Sequence, residues 1–175
     1  NYKIRVGAIG IKGMGWFDLA SFIKNEQVEC VALCDVDRSI LESRAAQVEQ
    51  IQGKKATLYG DYRKLLEHKD LNAVIIGTPD HWHALPTIHA CQAGKDVYVE
   101  KPPSHNCWEG QRFVEAARRY ERVVQVGTQI HAGENDRRVV ETVRSGHLGP
   151  VTVVRKNLPP DLHRIVSRCL RKRPE

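Results

Sequence analysis

The spacing of apolar positions changes period repeatedly along the chain, and each change marks an element. Ile4, Val6, Ala8 and Ile9 form a short β-rich run, glycines at 10, 13 and 15 crowd the turn after it, and Phe17, Leu19, Ala20, Phe22 and Ile23 begin a helical pattern. The run VECVALCD, closed by Asp35, predicts a second strand, and Ile40, Leu41, Ala45 and Val48 predict a helix over Arg38 to Gln50. Lys54 to Tyr59 reads as a short third strand, and Asp61 as the cap of a brief helix holding Leu65 and Leu66. LNAVIIGTP is a continuous β-branched run that wants burial on both faces, as in a parallel sheet. A helix over His81 to Ala93 ending at Gly94, a strand DVYVE, a helix over Cys107 to Tyr120, a strand RVVQVG and a helix over Asn135 to Ser145 follow. This alternation has the spacing of right-handed parallel crossovers. It predicts a doubly wound α/β domain of six mostly parallel strands over residues 3 to about 150, with the first strand inside the sheet.

In such sheets ligands bind at the carboxyl ends of the strands. Those ends carry Gly10 to Gly15, Asp35, Thr78 with Pro79, Glu100 with Lys101, and Gly127 to Gln129. Strand, glycine turn and helix in that order open a dinucleotide-binding βαβ unit, in which the pyrophosphate rests against the free N–H groups of a helix start. The turn departs from the pattern G-x-G-x-x-G, because Lys12 stands where the second glycine belongs; Gly13 is expected to supply the close backbone approach in a shifted turn. Asp35 lies 20 positions beyond Gly15, where a carboxylate accepts hydrogen bonds from the adenosine ribose.

Length and charge narrow the picture. The 175 residues hold one full α/β domain and at most part of a second, so 1–150 is read as a dinucleotide-binding domain and 151–175 as the start of a truncated second domain or an unrelated basic helical tail. An apolar fraction of 41% and a charged fraction of 27% fit a soluble globular protein, no run is long enough to span a membrane, and no signal peptide is visible. The net charge of +6 divides into +1 over residues 1–150 and +5 over the rest. Five cysteines without a C-x-x-C pair point to a reducing, cytoplasmic compartment; Cys30 and Cys34 lie about 13 Å apart on one strand, too far for a disulfide. His81, His83 and His89 have no Cys, Asp or Glu at ligand spacing, so no metal is expected. Trp82 and Trp108 are expected to serve packing.

KIRVGAIG, VALCDVD, AVIIGTPDHWH, DVYVEKP and VVQVGTQ, in this order and spacing, resemble the amino-terminal half of the Gfo/Idh/MocA oxidoreductases over residues 3 to about 155. The resemblance implies a Rossmann-type sheet, NAD as cofactor with NADP possible, and a sugar-like or polyol substrate in the full-length parent. It implies that Gly10, Ile11, Lys12, Gly13, Met14 and Gly15 cradle the pyrophosphate, that Asp35 anchors the ribose with Arg38 three residues on, and that Thr78, Pro79 and His83 floor the cofactor beside His81. Lys101 of the Glu100-Lys101-Pro102 motif, with His83, is the catalytic candidate, and Gln129 stands nearby. Lys12 and Pro103 depart from the family pattern. The family's second, substrate-binding domain is expected to be missing or truncated, and the 175 residues alone are expected to bind dinucleotide without turning over substrate. Homo-oligomers are expected only where that domain is present.

Residues 158–175 carry Leu162, Ile165, Val166, Cys169 and Leu170 on one helical face and resemble the last helix of a Ser/Thr kinase domain, without a glycine-loop lysine, H-R-D or D-F-G. A non-catalytic dinucleotide-binding module is the alternative function. Nucleic-acid binding through the basic tail is disfavoured, because RCLRKR on a short helix reads as a solvated face.

Overall fold

The computed structural model describes residues 3–129 and 134–145. The first strand, β1 (Ile4–Ile9), is followed by α1 (Met14–Phe22), β2 (Val28–Cys34), α2 (Arg38–Gln52), β3 (Thr57–Tyr59) and α3 (Tyr62–Leu66). Then come β4 (Ala73–Ile76), α4 (Ala84–Gln92), β5 (Asp96–Glu100), α5 (Cys107–Arg119), β6 (Val124–Gly127) and α6 (Glu134–Arg144). All strand pairings are parallel and the sheet order is β3-β2-β1-β4-β5-β6. The order runs outward in both directions from β1 and β4, which makes the gap between their carboxyl ends the switch point of a Rossmann sheet.

Each face of the sheet buries alternate residues under its own helices. Ile9, Val74, Ile76, Val97 and Val99 pack with Leu65, Leu66, Ala90 and Ala116 from α3, α4 and α5. Val6, Ala8, Leu33 and Ile75 pack with Leu19, Leu41 and Val48 from α1 and α2. Burying one such aliphatic side chain contributes about 1.5–3 kcal/mol, and both faces are apolar because both are covered.

Local chemistry sets the boundaries. The Asp37 carboxylate accepts from the Ser39 and Ile40 amides at the start of α2, and Gly53 at φ 72° ends that helix. The Asp61 side chain accepts from the Arg63 amide at the start of α3. The Asn106 side chain accepts from the Glu109 amide, and the Glu109 carboxylate in turn accepts from the His105 amide.

Three expectations change. The helix expected over His81 to Ala93 is divided: Asp80–Trp82 form a 3₁₀ turn after Pro79, and the α-helix begins at Ala84. The strand expected from Lys54 starts only at Thr57, where β2 runs alongside. Trp82 and Trp108 are 45% and 67% exposed, so neither fills the core; the Arg112 guanidinium lies 5.6 Å from the Trp108 ring centre.

Cys30, Cys34 and Cys91 are buried free thiols, and Cys107 is an exposed one. Burial pushes the Cys30 and Cys34 thiols up to about 12. The chain divides after Thr128, and α6 belongs to the second unit. The tail helix expected over 161–171 lies outside the described residues. Among those residues no helix is long and apolar enough to cross a membrane.

Candidate functional site

The switch point is built on glycine contacts. Gly10 has φ 76°, a left-handed conformation that other residues rarely adopt, and a Cβ there would fall 2.7 Å from the Thr78 nitrogen. A Cβ on Gly15 would lie 2.0 Å from the Gly10 oxygen, and one on Gly77 would lie 2.3 Å from the Gly15 Cα. The loop after β1, the first turn of α1 and the loop after β4 therefore touch backbone to backbone. Gly13 differs: a Cβ there would meet nothing within 4 Å. The close approach expected of Gly13 is thus made by Gly10, Gly15 and Gly77, while Gly13 leaves open space at the start of α1. The helix begins at Met14, inside the glycine turn.

That open space is lined with donors. Gly13 caps α1 without a side-chain hydrogen bond. Among the described residues the amides of Lys12, Gly13, Met14 and Gly15 meet no acceptor, whereas the Gly10 amide donates to Cys34 and the Ile11 amide to Asp35 Oδ2 at 2.9 Å. Several free amides at the positive end of a helix dipole suit an anion. Asp35 itself sits at the end of β2, half-buried, and its Oδ1 also accepts from the Asp37 amide. Its carboxylate is thereby fixed beside the loop. Arg38, the candidate for reaching a 2′-phosphate, is exposed and donates through Nε to Glu42 at 2.8 Å.

On the other side of the switch point, the Thr78 hydroxyl donates to the Trp82 carbonyl across the 3₁₀ turn. His81 is exposed on that turn, its ring 6.5 Å from that of Trp82. Lys101 follows β5 as an exposed residue, and its amide donates to the Glu100 carboxylate at 3.2 Å; Glu100 is buried. The Lys101-Pro102 peptide is cis.

His83 departs from the catalytic position expected for it. It is 1% exposed, and its Nδ1 and Nε2 each stand 2.6 Å from a carbonyl oxygen, those of Pro102 and Thr78 respectively. A ring with both nitrogens turned to backbone carbonyls has neither left for a substrate. It ties the loop after β4 to the loop after β5. Gln129 falls in the second unit, and the glycines, Asp35, Thr78, Pro79, His81, Glu100 and Lys101 in the first.

Two contributors were missed by sequence reasoning. Gly77 had a signal, since a glycine closing a buried strand at the switch point marks a close approach. Arg44 had none. From the second turn of α2 it reaches the Ile11 and Lys12 carbonyls through Nε and Nη2, at 3.3 and 3.2 Å.

The donor set fits a dinucleotide: an anion-binding helix start, a carboxylate for ribose hydroxyls, and an exposed lysine two strands from β1 on the same sheet edge. Among the described residues no group of three or more His, Cys, Asp or Glu is placed to hold a metal.

Comparison with known proteins points the same way. Residues 4–128 match the family model described as "Oxidoreductase family, NAD-binding Rossmann fold", GFO_IDH_MocA. A glycosyl hydrolase family 109 protein of Shewanella sp. (strain W3-18-1) is 31% identical over 153 residues, which cover 83% of this chain and 33% of that protein. The chain thus spans about a third of the length of that relative. Among solved structures, myo-inositol 2-dehydrogenase from Lactobacillus plantarum superposes with a TM-score of 0.75 at 23% identity, covering 84% of this chain and 42% of that one. Scyllo-inositol dehydrogenase from Lactobacillus casei, with bound NAD(H) and scyllo-inositol, gives 0.74 at 20%, covering 84% and 42%. At those identities the two dehydrogenases support the fold. The family match over most of the chain goes further: the protein belongs to the Gfo/Idh/MocA oxidoreductase family, and residues 4–128 are its NAD-binding Rossmann domain.

Proposed function

We propose that this domain binds NAD in preference to NADP and serves a reaction that moves a hydride between the nicotinamide and a carbon of a polyol or sugar-like substrate. The observation that carries the reading is the set of free amides at 12–15 opening over Gly13, with the Asp35 carboxylate fixed beside them. The amides receive the pyrophosphate, and Asp35 accepts from the ribose hydroxyls while repelling a 2′-phosphate. Arg38, drawn to Glu42, does not offset that repulsion. Bound there, the nicotinamide supplies the hydride chemistry; the chain supplies position and one proton. Lys101 is the residue for the proton: its ammonium donates to the substrate oxygen, steadying the charge of a developing alkoxide. His83 acts through others, holding the Thr78 and Pro102 backbones that flank the site. The substrate class rests on the names of similar proteins, inositol dehydrogenases and a glycosyl hydrolase.

Fluorescence titration of the chain with NADH and NADPH tests the cofactor half. NADH should bind tighter, and Asp35→Ala should weaken NADH about 10-fold or more through lost charge-assisted hydrogen bonds, narrowing the gap to NADPH. Tighter NADPH binding, or an unchanged NADH affinity in Asp35→Ala, would refute the assignment.

The glycosyl hydrolase relative favours a second reading, in which the substrate is a glycoside, since NAD-dependent glycosidases exist. Net accumulation of reduced nicotinamide with polyols supports the first reading. Release of free sugar from a glycoside without such accumulation supports the second.

A further inference from the structure

We propose that Arg44 is a positioning residue for the pyrophosphate cradle, holding the loop peptides in the orientation that turns their amides outward. The inference rests on the dinucleotide-binding reading.

The geometry is that of a three-sided clamp. Arg44 Nε and Nη2 donate to the carbonyls of Ile11 and Lys12, Nη1 donates to Gln47 Oε1 at 2.7 Å, and the guanidinium carbon lies 4.5 Å from the Trp16 ring centre. Trp16 belongs to the first turn of α1 and Gln47 to α2, so the guanidinium is fixed from both helices as well as from the loop. In a planar trans peptide the C=O and N–H point in opposite directions. With the Ile11 and Lys12 carbonyls drawn toward Arg44, the amides of Lys12 and Gly13 point away from it. These are two of the amides that find no acceptor among the described residues. A carbonyl turned the other way would set its negative end against the phosphates. The Ile11 amide is held independently by Asp35 Oδ2, so three polar groups of the loop, Ile11 N–H, Ile11 C=O and Lys12 C=O, are each tied down, while the Lys12 N–H between the two carbonyls meets no acceptor among the described residues.

Lys12 stands where the usual pattern has a glycine that lets the backbone approach the pyrophosphate. A loop carrying a side chain there has its peptide orientation imposed from outside, and Arg44 is placed to impose it. Each of the three Arg44 guanidinium nitrogens donates to the loop or to Gln47 and the guanidinium face lies on Trp16, so its action on the cradle runs through the loop peptides.

The test compares two ligands, one with and one without a pyrophosphate. ADP-ribose and adenosine are titrated into the unsubstituted chain, Arg44→Ala and Arg44→Lys, with thermal midpoints taken in parallel. Arg44→Ala should weaken ADP-ribose about 10-fold, the loss expected for two charge-assisted hydrogen bonds, and leave adenosine within about twofold. Arg44→Lys, able to hold one carbonyl, should recover part of the ADP-ribose affinity. Parallel losses for both ligands would mean that Arg44 only supports the fold, and unchanged ADP-ribose binding in a folded Arg44→Ala chain would mean that the loop sets its own orientation; either overturns the proposal. Should Arg44→Ala fail to fold, the same comparison between ligands in Arg44→Lys decides. Failure of the unsubstituted chain to bind ADP-ribose would overturn the dinucleotide reading itself, a result distinguishable from every other.

Discussion

At the carboxyl edge of one sheet, the loop after β1 and the loop after β5 are built in opposite ways. The first presents backbone: free amides over Gly13, with side chains such as Asp35 and Arg44 gripping the loop from behind. The second presents a side chain, the exposed Lys101, on a strand end braced by buried Glu100 and His83. Recognition through amides is insensitive to side-chain chemistry but intolerant of any change in backbone spacing. Chemistry through an ammonium is the reverse. The two loops should therefore fail differently when altered.

The largest effect belongs to the glycine contacts. Gly77→Ala places a Cβ 2.3 Å from the Gly15 Cα, and Gly15→Ala places one 2.0 Å from the Gly10 oxygen, both against backbone that cannot swing aside. Each should cost about 3 kcal/mol or more and abolish NADH binding, measured by chemical denaturation and titration. Gly13→Ala meets open space and should leave stability within about 1 kcal/mol while reducing NADH affinity, since the new methyl enters the space proposed for the phosphates. Equal destabilisation by all three would remove the distinction between packing glycines and the cradle glycine.

Lys101→Ala should sharpen the comparison from the other side. In a longer protein that carries these residues and is active, the proposed proton role predicts that kcat falls on the order of 100-fold while NADH affinity stays within about twofold, because a lysine at the substrate oxygen does not hold the phosphates. A loss confined to NADH affinity would place Lys101 in the cradle instead.

His83→Ala tests the brace. It leaves the carbonyls of half-buried Thr78 and exposed Pro102 without their imidazole partner, for a loss of about 1–2 kcal/mol and a lower denaturation midpoint. An unchanged midpoint would show that the two loops hold their places without it.

These contrasts also mark what the amino-acid order reveals. The centre of the sheet was legible because its strands carry apolar runs buried on both faces, as in Ala73–Ile76, and α2 and α3 are bounded by local signals, Asp37 and Asp61 at their starts and Gly53 at the end of α2. Gly10, Gly15 and Asp35 were legible as a spaced pattern within one βαβ unit. Arg44 and Gly77 were not, since the loop atoms they touch lie 32 to 67 positions away and their contacts depend on the register of β4 and the rotation of α2. His83 was legible as a polar residue near the site but not as a buried one. Its position follows from the 3₁₀ turn over Asp80–Trp82, which replaces the helix start that the pattern suggested and turns His83 inward.

The smallest effect concerns the core beneath both loops. Cys30 and Cys34 on β2 are buried, and burial raises both thiols to about 12, while Cys107 at the start of α5 is exposed. A thiol raised on folding is neutral in both states below its unfolded value near 9, so its full contribution is present there. Above that value the unfolded chain ionises first and binds fewer protons than the folded one, so stability falls as pH rises and continues to fall until about 12. For Cys30, held between the sheet and its helices, the loss is on the order of 1 kcal/mol once the pH is a little above 9. Cys30→Ala should flatten that alkaline decline in a chemical-denaturation series from pH 8 to 10, at some expense in stability throughout from the cavity left in the core. The thiolate is also the reactive form. Brief exposure of the native chain to a thiol reagent at pH 8, followed by peptide mass analysis, should therefore modify Cys107 well before Cys30 or Cys34. Early modification of Cys34, which sits directly below Asp35, would show that β2 opens at the cradle end and that the cradle is less rigid than its hydrogen bonds imply.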